Sequence, residues 1–64
     1  MNWNNASVDA LPSDGQEVLM SIDGVYYIGI YKAGEQLFKL KDQPQQYFKP
    51  TENLIYWTEF TNPD

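Results

Sequence analysis

The dipeptide Asp23-Gly24 is the strongest local folding signal in the chain, because it lies between two runs rich in Val, Ile and Tyr. An Asp-Gly pair in this setting favours a two-residue β-hairpin turn, since both central residues of that turn need positive φ. A second pair, Ala33-Gly34, follows at hairpin spacing. The pattern therefore predicts strands over 16–22, 25–32 and 35–41, joined by two tight turns.

The flanking segments are less regular. Residues 1–15 are polar, and Leu11-Pro12-Ser13-Asp14-Gly15 predicts a turn, because Pro favours an early corner and Gly permits positive φ near the end. Residues 42–53 carry two prolines and no sustained period, which predicts a loop. A last strand is expected over 54–60, followed by a tail.

The two turns also predict a register. If both have two residues, Met20 faces Tyr27, and Gly29 lies between Val18 and Phe38. We expect the Phe38 ring to lie over the bare backbone of Gly29, where the sheet can bend. One face of the sheet then collects the predicted core: Val18, Met20, Ile22, Val25, Tyr27, Tyr31, Phe38 and Leu40, with Gln36 at its edge.

The opposite face is predicted to be mixed, with an apolar band among charged side chains. This outer band consists of Leu19, Ile28, Ile30 and Leu37. Such a band needs a cover, which the N-terminal segment, the 42–53 loop or another chain would supply. Because the last strand is also apolar on both sides, a strongly curled sheet fits better than a flat one.

These observations predict an all-β chain that forms a single small domain over 1–64, since 64 residues leave no room for a second core. The expected architecture is a curled antiparallel meander of four to five strands, similar to the small open barrels of the Src-homology and Tudor type. We expect Trp3 and Trp57 to pack so that they close it.

Composition argues against catalysis, because the chain has no Cys, His or Arg. A cysteine nucleophile, a thiolate metal site and a histidine base are therefore excluded. Asp14 and Asp23 belong to predicted turns, where they are expected to bond the turn backbone. Together with Asp9 they lack the spacing of a calcium loop. We expect no enzyme, no metal and no cofactor.

The net charge of −5 disfavours nucleic-acid binding, because clustered cations supply most affinity for phosphates. No apolar run approaches the roughly 20 residues of a membrane helix. The first ten residues have neither a cationic start nor an apolar run, so no export signal is expected. The expectation is a cytoplasmic protein without membrane or nucleic-acid partners.

Aromatic residues are the richer functional signal. Tyr26, Tyr47, Phe48 and Tyr56 fall in or beside the mixed face and the 42–53 loop. One hypothesis is that Tyr26 and Tyr56 stay exposed and bind a cationic or proline-rich segment of another protein. The alternative is that these rings close the ends of a small barrel.

Function is therefore expected to be that of a non-enzymatic protein-binding or accessory module with an unknown target. A first alternative is a structural homodimer in which the outer band pairs with its copy about a two-fold axis. A second is an acidic inhibitor that imitates the charge pattern of DNA.

The order of landmarks along the chain resembles a family of short domains of unknown function from bacterial, prophage and conjugative-element gene sets. The family pattern has an early Trp, an LPxxGxxVL turn and strand, a DG hairpin followed by GxY, and a C-terminal Trp before prolines. The resemblance implies a fold and a mobile-element context, but no catalytic residues. The matching positions are Trp3, Leu11-Pro12, Gly15, Val18-Leu19, Asp23-Gly24, Gly29, Tyr31, Tyr56-Trp57 and Pro63.

Overall fold

A computed structural model of the chain describes residues 2–59, which form one antiparallel sheet and its connections. Within these residues the sheet has six strands in the order β1-β6-β2-β3-β4-β5. Strands β2 to β5 follow one another as a meander, and β6 returns to pair with both β2 and β1. The strands are β1 (Asn4–Asn5), β2 (Glu17–Ile22), β3 (Val25–Lys32), β4 (Leu37–Leu40), β5 (Tyr47–Phe48) and β6 (Ile55–Glu59).

The hairpin between β2 and β3 has the predicted two-residue turn. Asp23 has φ 52° and Gly24 has φ 78°, the pair of positive angles that defines a type I′ turn. Met20 pairs with Tyr27 as expected. The right-handed twist of such a turn matches that of the strands, so this prediction of turn and register is confirmed.

The prediction of a two-residue turn at Ala33-Gly34 is wrong. Lys32 pairs with Leu37, so the loop has four residues, 33–36. The amide of Gln36 donates to the carbonyl of Ala33 over 3.2 Å, and Gln36 carries the positive φ, 56°. A type I′ turn would instead place Ala33 at positive φ, which costs an L-residue about 1–2 kcal/mol.

The longer loop shifts the β3–β4 register by two residues. Phe38 therefore pairs with Tyr31 rather than with Gly29, and Gly29 pairs with Leu40. Because side chains alternate with a period of two, a shift of two leaves each one on its predicted face. For this reason, the predicted faces of the β4 side chains are correct although the predicted loop length is wrong.

Two short strands lie where the sequence predicts none, one in the polar segment 1–15 and one in the predicted 42–53 loop. Asn4–Asn5 pairs with Trp57 and Tyr56 of β6, and Tyr47–Phe48 pairs with Lys39 and Phe38 of β4. Strands of two residues are too short to show a periodic pattern in sequence. The predicted last strand at 54–60 is Ile55–Glu59, and residue 60 lies outside the described residues.

The buried core lies on the predicted face. Phe38, Met20, Ile55 and Val18 are fully buried, and burial of each side chain contributes roughly 1.5–3 kcal/mol. Tyr31 and Phe38 pack with ring centroids 4.9 Å apart. The core cluster is Ala6, Val18, Met20, Ile22, Tyr31, Phe38, Ile55 and Trp57, with Tyr27, Leu40 and Phe48 half-buried against it.

Two residues of the predicted core are not in it. Val25 is 50% exposed, because it begins β3 directly after the hairpin turn, at the open end of the sheet. Gln36 is exposed in the four-residue loop. The Gly29 expectation also needs correction, since the side chain of Met20, not the Phe38 ring, fills the space beside it.

The segment before β2 forms the predicted turn. Gly15 has φ 80°, and the amide of Gln16 donates to the carbonyl of Ser13 over 3.0 Å. Asp14, however, does not bond its own turn as expected. Its Oδ1 accepts from the amide of Ala33 over 3.0 Å, so this carboxylate joins the turn to the 33–36 loop.

The sheet is open and does not close into a barrel. Its edges are β1 and β5. The segments that follow these edges meet, because the hydroxyl of Ser7 donates to the carbonyl of Pro50 over 3.2 Å. The expected all-β class of small open fold is confirmed, with six strands instead of four or five. Over residues 2–59, no helix has the length and apolar character needed to cross a membrane.

Candidate functional site

A row of three side chains crosses the outer face, which is the side of the sheet opposite the core. Ser21 in β2 pairs with Tyr26 in β3 on one side and with Tyr56 in β6 on the other. Directly paired residues point to the same face. Neighbouring strands lie about 4.8 Å apart, so the two tyrosines are separated by roughly 10 Å with a small residue between them.

These tyrosines are exposed and border a groove. Tyr26 is 66% exposed and Tyr56 is 38% exposed. The groove has a volume of about 310 Å³ and is lined by Trp3, Ser21, Tyr26 and Tyr56. We call it the tyrosine groove. Cross-strand pairing with Ser21 fixes the backbones of both tyrosines, so both side chains project on the side of the sheet where the groove lies.

Trp3 also lines the tyrosine groove, which is not its predicted position. It was expected to pack with Trp57 and close the barrel, but the two side chains are apart. Trp57 is buried in the core, where its Nε1 donates to the carbonyl of Ala10 over 3.1 Å. Trp3 lies on the outer face, with its ring centroid 6.1 Å from that of Tyr26. Only the pairing of β1 with β6, which the polar N-terminal sequence does not signal, accounts for this position.

The other two aromatic candidates lie away from the groove. Tyr47 is also on the outer face but belongs to the edge strand β5, where the ammonium of Lys49 lies 5.9 Å from its ring centroid. Phe48 is half-buried against the core, with its ring 5.3 Å from that of Tyr27. The structure thus brings together two of the four predicted binding residues.

The outer band is less open than the groove. Leu37 is only 5% exposed, and Leu19, Ile28 and Ile30 are half-buried. Part of the predicted 42–53 loop lies beside the band. Asp42 and Gln43 line a concavity with Ile28, and Pro44 and Gln45 line another with Leu37.

Three concavities are larger than the tyrosine groove. One of about 360 Å³ shares Tyr26 with the groove and is also lined by Asp42. The other two have a different chemistry. One of about 450 Å³ lies where the sheet edges approach, and its aromatic member, Tyr31, is buried and presents little surface. Another of about 520 Å³ beside Tyr47 is lined by both Lys39 and Glu35, whose charged atoms lie 3.9 Å apart. Neither combines exposed aromatic rings with a lining free of lysine.

Charge is distributed unevenly along the chain. All four lysines lie in the segment 32–49 together with two of the nine carboxylates, Glu35 and Asp42, so the other seven carboxylates lie in 1–31 and 50–64. Lys41 forms an ion pair with Glu17 over 3.2 Å. Strands β2 and β6, which carry Ser21 and Tyr56 of the groove, contain no basic residue, and neither does β1.

Within residues 2–59 no group of three or more acidic side chains is placed to hold a metal ion. No family model, no curated protein and no solved structure matches the chain.

Proposed function

We propose that the protein is a non-enzymatic protein-binding module and that the tyrosine groove is its contact surface. The observation that carries this proposal is the exposure of Tyr26 and Tyr56 on either side of Ser21, with Trp3 beside them. A chain of this size has few large side chains to spare from its core. Two exposed rings on neighbouring strands of the sheet therefore leave apolar surface in solvent that a bound partner would bury.

Tyrosine and tryptophan are suited to such a contact. Their large rings have few rotatable bonds, so little entropy is lost when a partner immobilises them. Both residue types are enriched among the side chains that contribute most to binding energy in protein interfaces. In β2 and β6, the strands are held on both sides by neighbours, which keeps the groove in shape before the partner arrives.

The groove is preferred over the outer band as the contact surface. A homodimer that uses Leu19, Ile28 and Ile30 would gain less, because these side chains are already half-buried in the monomer. The acidic-inhibitor alternative uses the same negative surface but does not account for the exposed aromatic rings. The expectations of a cytoplasmic location and a mobile-element context, which derive from the sequence, belong to this proposal.

A peptide-display selection on the whole chain tests the proposal. Random peptides are selected on the wild-type protein and then measured against a Tyr26→Leu/Tyr56→Leu variant. We expect selected peptides to lose at least tenfold in affinity for the variant. Tyr47→Leu is the matched control, because it removes another exposed tyrosine from the far edge of the same face. Peptides that bind the double variant as well as the wild type would contradict the proposal.

A further inference from the structure

The surroundings of the tyrosine groove are acidic. Asp42 lines a concavity on the far side of Tyr26. Asp23 lies in the hairpin turn that follows Ser21 by two residues. Asp9 is linked to β1, since its Oδ2 accepts from the amide of Asn5 over 2.8 Å, and Asn5 pairs with Tyr56.

The chain also contains an internal comparison for a cation on an aromatic ring. Lys49 places its ammonium 5.9 Å from the ring centroid of Tyr47, at the limit of a favourable cation–π contact. Among the residues that line the tyrosine groove there is no lysine at all. Tyr47 thus has a cation from its own chain, whereas Tyr26 and Tyr56 border a groove to which the chain contributes no lysine.

We infer that the tyrosine groove binds a basic peptide segment of the partner, with a lysine or arginine side chain lying in the groove against the rings of Trp3, Tyr26 and Tyr56. This inference rests on the proposed function and adds the chemistry of the ligand. The groove volume of about 310 Å³ leaves space for one extended aliphatic stem with its charged end against the rings that line it.

Charge complementarity favours a cationic ligand over a proline-rich one. Both could stack on tyrosine, but only the cation gains from the ring quadrupoles and from Asp9, Asp23 and Asp42. The net charge of −5 and the absence of basic residues in β1, β2 and β6 also steer a basic segment to this side of the molecule. Rising salt should therefore weaken binding.

The test uses the isotope-labelled full chain and four synthetic peptides with the same Gly-Ser spacing. They carry two lysines, two norleucines, two glutamates or two prolines. We expect the lysine peptide to bind roughly tenfold more tightly than the norleucine peptide, which has a similar stem without charge. The backbone signals of Ser21, Tyr26 and Tyr56 and the indole signal of Trp3 should move most.

Variants of Tyr26 distinguish the contribution of the aromatic ring to binding from that of apolar surface alone. Tyr26→Phe keeps an aromatic face and should retain binding of the lysine peptide, whereas Tyr26→Leu should weaken it roughly tenfold. Asp42→Asn should weaken it by a smaller factor and reduce its salt dependence. Tyr47→Leu should have no effect. Because these side chains are exposed, all four variants are expected to fold.

Each failure has a distinct meaning. If the norleucine or proline peptide binds as tightly as the lysine peptide and still needs the tyrosines, the inference is wrong and the proposed function stands. If neither these peptides nor any from the display selection need the tyrosines, both are wrong. If the groove signals shift on concentrating the protein alone, a second copy occupies the groove and the inference is overturned.

Discussion

Gly29 shows how much one absent side chain matters in a small sheet. A Cβ built on this residue would lie 2.5 Å from Cε of Met20 and 3.1 Å from the carbonyl oxygen of Lys39. The thioether can move, but the backbone oxygen belongs to a paired strand. Met20 is itself fully buried, so the space that it would need is already filled.

We therefore predict that Gly29→Ala lowers the free energy of unfolding by about 1–3 kcal/mol, because it overpacks the core. Thermal denaturation followed by circular dichroism measures the loss. Gly34→Ala is the matched control, since Gly34 has open space around it and no positive φ, and its melting temperature should be unchanged or higher. Equal losses in the two variants would contradict the packing explanation.

Gln36 carries strain of a different kind. It is exposed, and its φ of 56° lies in the left-handed region that an L-residue adopts at a cost. We predict that Gln36→Gly raises the free energy of unfolding by about 0.5–1 kcal/mol, which is the strain relieved less the added freedom of the unfolded chain. Chemical denaturation measures this gain. Gln36→Ala keeps the left-handed backbone and should show no gain; if it stabilises the chain as well, the strain lies elsewhere.

In the β2–β3 hairpin, the local turn preference and the burial of the strands favour the same register. Asp23 and Gly24 adopt the backbone angles that their sequence favours, and the register they set is the one that buries Val18 and Met20. The 33–36 loop lacks this agreement, because its glycine is not the residue at positive φ.

We predict that Gly24→Ala destabilises the protein by about 1–2 kcal/mol, because alanine must adopt φ near 78° in the turn. Asp23→Asn should be nearly neutral, since asparagine suits the first position of a type I′ turn equally well. Urea denaturation of both variants distinguishes them. A Gly24→Ala protein of wild-type stability would show that the turn can change type without cost to the sheet.

Burial of the outer band within the single chain favours a monomer over a homodimer. Leu37 is buried and its three neighbours in the band are half-buried without a second chain. The 42–46 segment, which is part of the predicted 42–53 loop, lies beside this surface and covers part of it. The N-terminal segment contributes Trp3 at the tyrosine groove instead.

We accordingly predict that the melting temperature does not depend on protein concentration. An obligate homodimer would gain stability with concentration by mass action. Differential scanning calorimetry over a hundredfold range of concentration provides the measurement, with sedimentation to confirm the molecular mass. A melting temperature that rises steadily with concentration would favour the structural homodimer over the binding module.

The sequence alone determined the all-β class, the first hairpin and the division of the middle strands into two faces. It could do so because hairpin turns and two-residue alternation are local properties, and alternation tolerates the two-residue error at the second loop. Tyr26 and Tyr56 could be singled out as aromatic residues on the mixed face for the same reason.

Only the tertiary structure decided that these two tyrosines flank Ser21, that Trp3 joins them and that Tyr47 and Phe48 do not. Those placements depend on β6 returning to pair with both β1 and β2. Pairing between segments so far apart in the chain is set by burial of Ile55 and Trp57 in a shared core, not by any pattern within either segment.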